Sequence, residues 1–124
     1  MKILFCDDDP VIRYLLEVVL GKKAGHEVVA ISDSSEVVDT AAVEHPDVIL
    51  LDYVMPGPSG IEIARRLRQV PETMGIPVVF LTGRADIADE AELESLNVID
   101  VIEKPFDTAK LADRLTAGVT AHRS

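Results

Sequence analysis

The chain has one cysteine in 124 residues, Cys6, so no internal disulfide can form. A lone thiol inside the apolar run Ile3-Leu4-Phe5-Cys6 reads as a buried core residue and fits a reducing compartment. Basic residues are scarce, 12 against 22 acidic ones, giving a net charge of −10. Direct binding to nucleic acid or to an anionic membrane needs Lys and Arg to meet phosphates, so both are excluded as partners. No apolar stretch is long enough to cross a bilayer and no leader precedes the first strand-like run, so a cytoplasmic location is expected. The histidines, His26, His45 and His122, lie far apart without metal-ligand spacing and are expected as solvated surface residues. There is no repeat, no low-complexity segment and no linker. With 48% hydrophobic and 27% charged residues, the composition is that of one globular domain with a single core.

What is present is an alternation of short branched apolar runs with helix-like segments. Strands are expected at 2–7, 27–31, 47–52, 76–81 and 98–102, and helices at 10–22, 34–44, 60–69, 86–96 and 107–120. Such alternation implies a parallel sheet covered on both faces. Asp9 can cap the first helix with Pro10 at its first position, and Val11, Leu15, Val18 and Val19 give it an apolar stripe. Ser59-Gly60-Ile61-Glu62 reads as a capping box, with Ile63 and Leu67 facing inward. Gly25 and Asn97 suit left-handed helix ends. Five βα units with right-handed crossovers predict an α/β, flavodoxin-like (βα)5 doubly wound sheet of order 2-1-3-4-5, in three α/β/α layers.

Each apolar run ends in polar residues that a buried strand would not tolerate. The first runs into Asp7-Asp8-Asp9-Pro10, the third into Asp52, the fourth into Thr82-Gly83 and the last, after Glu103, into Lys104-Pro105-Phe106. Parallel strands share one carboxyl edge, where open α/β sheets bind ligands. Three carboxylates, a hydroxyl and an ammonium would therefore converge. That set suits Mg²⁺ and phosphoryl transfer onto an aspartate.

These residues resemble the receiver domain of a two-component response regulator, end to end. The motifs are Asp7-Asp8, Leu51-Asp52-Tyr53-Val54-Met55-Pro56 with Gly60, Leu81-Thr82-Gly83, and Lys104-Pro105-Phe106. Thr82 and Lys104 stand 30 and 52 residues after Asp52. The resemblance implies that Asp52 accepts a phosphoryl group from a sensor histidine kinase or a histidine phosphotransfer protein. Asp8 would bind Mg²⁺ directly and Asp7 would help, while the backbone carbonyl of Val54 would be a further ligand. Thr82 and Lys104 would contact phosphoryl oxygens, and the Lys104–Pro105 bond would be cis. The phosphorylated domain would switch its surface to control a downstream protein, acting as a phosphoacceptor rather than an enzyme on a separate substrate. A single receiver domain over 1–124 with no output domain is expected, Met1 being a native start. The alternative is a receiver excised from a larger multidomain regulator.

Some positions depart from the family pattern. Val101 stands where the family usually carries Tyr or Phe as a rotating switch. Ile99 stands where a polar residue is expected. Ile99 and Val101 are therefore expected to form an apolar patch on the face of helix 4, strand 5 and helix 5, fit for a homodimer or another partner. Val54 and Arg84 border the site and point to slow self-dephosphorylation. Asp100 and Glu103 are expected as solvated acids. A haloacid dehalogenase-type phosphohydrolase, which would need Asp-x-Asp-x-Thr after the first strand, finds no such threonine. A nucleotide or flavin carrier would meet three repelling carboxylates at its phosphate loop.

Overall fold

The computed structural model describes residues 1–83 and 90–123. Five parallel strands are present: β1 Lys2–Cys6, β2 Glu27–Ile31, β3 Val48–Asp52, β4 Val78–Thr82 and β5 Val98–Glu103, in the sheet order β2-β1-β3-β4-β5. This is the expected doubly wound fold. Side chains alternate cleanly between two cores. Ile3, Phe5, Val48, Leu50, Val79 and Leu81 point to one side, and Leu4, Cys6, Ile49, Leu51, Val78 and Phe80 to the other. Both faces are covered, which is why these strands read as continuous apolar runs.

The first face is covered by α1 (Pro10–Leu16), its continuation Glu17–Lys23, and α5 (Thr108–Arg123). The second is covered by α2 (Val37–Glu44), α3 (Gly60–Gln69) and α4 (Glu90–Ser95). Asp9 caps α1, its carboxylate accepting the Val11 N–H at 2.9 Å. Ser59 caps α3 by accepting the Glu62 N–H at 3.3 Å. Such caps contribute about 1 kcal/mol each.

The first helix differs from expectation in two ways. From Glu17 to Lys23 it is π-helical, and its buried stripe is Ile12, Leu15, Leu16, Val19 and Leu20 rather than one through Val11 and Val18. Val11 is 70% exposed. The second helix opens with a 3₁₀ turn, Ser34–Glu36, capped by Asp33. The expected helix 86–96 is described only as α4, and its earlier residues, like Arg84, lie outside the described residues. Gly25 and Asn97 take positive φ as expected, and His45 joins them at the end of α2.

Between β4 and β5 the ladder pairs Val78 with Val98 and Val79 with Asp100, leaving Ile99 as the extra residue of a bulge. The bulge shifts the alternation. Ile99 packs into the core beneath α1 and α5, whereas Val101 packs against the α2, α3 and α4 side. Both are half-buried, and they do not form the single outward patch expected of a regular strand. Asp100 is also not a free solvated acid. Arg114 of α5 grips it with two bonds of 2.7 and 2.8 Å. His26 is half-buried, its Nδ1 3.0 Å from the Met1 amino group, and burial lowers its pKa.

Candidate functional site

The carboxyl ends of β1, β3, β4 and β5 lie along one edge of the sheet, and their terminal residues meet there. Oxygens of Asp7, Asp8 and Asp52 lie within 4.8 Å of one another. Lys104 Nζ sits 3.4 Å from Asp7 Oδ2 and 3.4 Å from Asp52 Oδ1, bridging two of the three acids. Asp7 and Thr82 are buried, Asp52 and Lys104 half-buried, and Asp8 exposed.

The local chain explains these placements. Asp7 extends β1 by one bond, its N–H donating to Ile31 O at 3.2 Å. Its carboxylate Oδ1 accepts the Asp9 N–H at 2.9 Å. Lys104 is bound to the end of β4 through its N–H to Thr82 O at 2.7 Å, and the Lys104–Pro105 bond is cis. Asp52 ends β3, and the N–H of Val54 donates to its carboxylate. The turn after β3 is held by Tyr53 N–H to Leu81 O (2.8 Å) and Gly60 N–H to Tyr53 O (3.0 Å). Met55 Sδ accepts from the buried Cys6 thiol at 3.6 Å, and Pro56 O accepts from Ser34 Oγ at 3.3 Å. Burial pushes the Cys6 thiol up to about 12, with the neighbouring carboxylates adding to it.

Electrostatically the site is poised for a cation. Burial raises the Asp52 pKa first. Lys104 opposes that shift, and the charge of Asp7 adds to it. An ion held between hard oxygens would relieve this repulsion. The donor set is all oxygen and partly open to solvent, which fits Mg²⁺ better than a softer metal.

The structure thus brings Asp7, Asp8, Asp52 and Lys104 together, with Thr82 joined to Lys104 through its carbonyl and Val54 to Asp52 through its N–H. Asp9 stays a helix cap. Two residues carry contacts that the motifs do not announce. Arg13 Nη1 donates to the Asp7 carbonyl at 2.9 Å, and the buried Ser34 anchors the turn after β3. Arg13 is one helical turn beyond the Asp9 cap, which places it back over the loop that carries the acids; helix spacing was the only signal for it.

Comparison with known proteins decides the family. The family model for the response regulator receiver domain matches residues 3–116. The chain belongs to the response regulator receiver family. The phosphate regulon transcriptional regulatory protein PhoB of Pseudomonas aeruginosa is 36% identical over 115 residues, which is 93% of this chain and 50% of that protein. The chain therefore spans about half the length of this curated relative. The chemotaxis response regulator CheY4 of Vibrio cholerae superposes with a TM-score of 0.83 at 27% identity, covering 94% of this chain and 97% of that one. The receiver domain of the sensor histidine kinase PA1611 of Pseudomonas aeruginosa, solved with magnesium coordinated in its active site cleft, gives a TM-score of 0.83 at 27% identity, covering 96% and 97%. Receiver domains are signalling domains of two-component systems, and this chain is one of them. Among the described residues, no helix is long and apolar enough to cross a membrane.

Proposed function

We propose that this receiver is a Mg²⁺-dependent phosphorelay switch that takes its phosphoryl group on Asp52. The donor is a histidine kinase or a histidine phosphotransfer protein, and the modified domain controls a downstream protein. The observation that carries this reading is the meeting of three carboxylates within 4.8 Å, with Lys104 Nζ 3.4 Å from two of them.

Asp7, Asp8, Asp52 and the Val54 carbonyl would hold the ion. When bound, Mg²⁺ would neutralise charge on the phosphoryl group in transfer. Asp52 attacks phosphorus with a carboxylate oxygen. A P–O bond forms while the P–N bond to the donor histidine breaks, and the ring nitrogen leaves with the electron pair. Partial burial keeps this nucleophile lightly solvated, and Lys104 favours its anionic form. Thr82 and Lys104 then contact the phosphoryl oxygens. The new charge biases an equilibrium between two surface arrangements.

Intact mass after incubation with Mg²⁺ and acetyl phosphate tests the chemistry. A single phosphoryl adduct is expected on wild type, absent without Mg²⁺ and absent in Asp52→Ala. An equal adduct in Asp52→Ala would move the acceptor elsewhere. No adduct from either acetyl phosphate or a phosphorylated phosphotransfer protein would overturn the reading.

The switched surface is assigned to α4, β5 and α5, with a second copy or the downstream protein as its reader. Val101 and Ile99 reach the surface there from opposite sides of β5. Sedimentation of Val101→Asp should show weakened assembly, and assembly as strong as wild type's would remove Val101 from the contact.

A further inference from the structure

We propose that Arg13 is a positioning residue for the cation site, holding the Asp7–Asp8 peptide so that both carboxylates stay directed at the cleft. The inference rests on the reading that these acids bind Mg²⁺. Arg13 is the fourth residue of α1, and its N–H donates to Asp9 O at 3.0 Å. Its half-buried side chain turns back, and Nη1 donates to the Asp7 carbonyl at 2.9 Å. That carbonyl belongs to the peptide joining the two acids; with the Asp7 N–H held on Ile31 O, a turn about the Asp7 Cα–C bond would redirect Asp8 relative to Asp7.

The two acids depend on this peptide unequally. Asp7 has its own restraints, the Asp9 N–H on Oδ1 and Lys104 near Oδ2. Asp8 is exposed, and among the described residues no hydrogen bond fixes its carboxylate. Its direction is therefore set by backbone alone, and two side chains brace that backbone, Asp7 through the Asp9 N–H and Arg13 through the Asp7 carbonyl. Groups that orient metal ligands from behind commonly matter for affinity by a factor of about 10–100.

Charge and geometry predict opposite outcomes here. A permanent cation beside the cluster repels a second cation. Were charge all that Arg13 contributed, removing it would tighten Mg²⁺ binding. Were Arg13 only a stabiliser of α1, its loss would lower the unfolding temperature and leave the affinity alone. Positioning alone predicts weaker binding.

Calorimetric titration of the full chain with MgCl₂ separates these cases. It should be run in low salt and again in KCl at about 0.5 M, where exposed charges are screened beyond about 4 Å. Arg13→Met keeps the apolar stem and removes donors and charge. Arg13→Lys keeps the charge with a single shorter donor. The expected result is a roughly tenfold rise in the Mg²⁺ Kd for Arg13→Met in both salts, with a smaller rise for Arg13→Lys. Thermal unfolding checks that each variant is folded; if Arg13→Met is not, Arg13→Gln takes its place. A Kd equal to or tighter than wild type's in the charge-removing variant overturns the proposal. A wild type that binds no Mg²⁺, or binds it unchanged in Asp52→Ala, overturns the site reading itself, and this inference falls with it.

Discussion

Gly60 opens α3 against the turn that follows Asp52, and it leaves no room for a side chain. A Cβ there would stand 3.1 Å from Phe80 Cε1 and 3.1 Å from Tyr53 Cα, with Asp52 O at 3.4 Å. Optimal carbon contacts fall near 3.5–4.0 Å, so the overlap is about 0.5 Å on two sides. Neither neighbour can retreat freely. Phe80 is fully buried and meets the Tyr53 ring edge-on at a centroid distance of 5.2 Å. The Tyr53 backbone is tied to Leu81 O and to Gly60 itself. Overpacking of this kind costs about 1–3 kcal/mol. Alanine's lower unfolded-chain entropy offsets about 0.4–1 kcal/mol. Gly60→Ala should therefore lose about 1–2 kcal/mol, a fall in Tm of about 5 °C for a domain of this size. Circular dichroism at 222 nm during heating or urea titration reads this directly. Gly75→Ala is the matched control, because nothing lies within 4 Å of a Cβ there. If Gly60→Ala melted at or above the temperature of Gly75→Ala, the reasoning from close approach would be wrong.

Two further outcomes are expected. The Asp52 carboxyl is held above its usual pKa, chiefly by burial. The stability it contributes is therefore present below about pH 4, the unfolded carboxylate range, and is lost as pH rises through the folded value. Without Mg²⁺, Asp52→Asn should be more stable than wild type to urea at pH 7, with the gap narrowing as pH falls; a gap that widened on acidification would contradict this. Val54 is apolar and 72% exposed beside the acceptor, so it offers no group to orient an attacking water. The phosphoryl group on Asp52 should persist well beyond seconds when followed by intact mass, and decay within seconds would count against that role for Val54.

Much of this was legible in the chain because the signals are local. A parallel strand buried on both faces shows itself as a branched apolar run, and its end shows as the first charge the core refuses. That logic located Asp7, Asp52 and Lys104 before any contact was known. The misses share a different cause. The bulge at Ile99 depends on how β5 pairs with β4, and no period-2 pattern within β5 records it. The π-helical stretch in the first helix shifts hydrogen bonding by one residue while keeping the chain helical, so seven residues of apolar spacing cannot mark it. The contribution of Arg13 is a side-chain bond to a backbone oxygen, and sequence motifs do not record backbone acceptors. The Asp100–Arg114 pair joins two elements whose approach is fixed only by the packed fold.

The bulge also has a meaning for how this chain can vary in length. Downstream of it the ladder runs Asp100 to Val79, Val101 to Phe80, Ile102 to Leu81 and Glu103 to Thr82, and Lys104 then takes the Thr82 carbonyl. Deleting Ile99 would join Val98 to Asp100 opposite adjacent partners and restore a regular strand, with Lys104 still arriving on the same side. Deleting Val101 is absorbed as well, Ile99 moving opposite Val79 and Asp100 opposite Phe80 so that Ile102 and Lys104 keep their places, but it turns Asp100 toward the side where Val101 packs. The two deletions thus spare the lysine alike and differ in what they leave inside. One removes an apolar residue, and the other puts a carboxylate where an apolar side chain was.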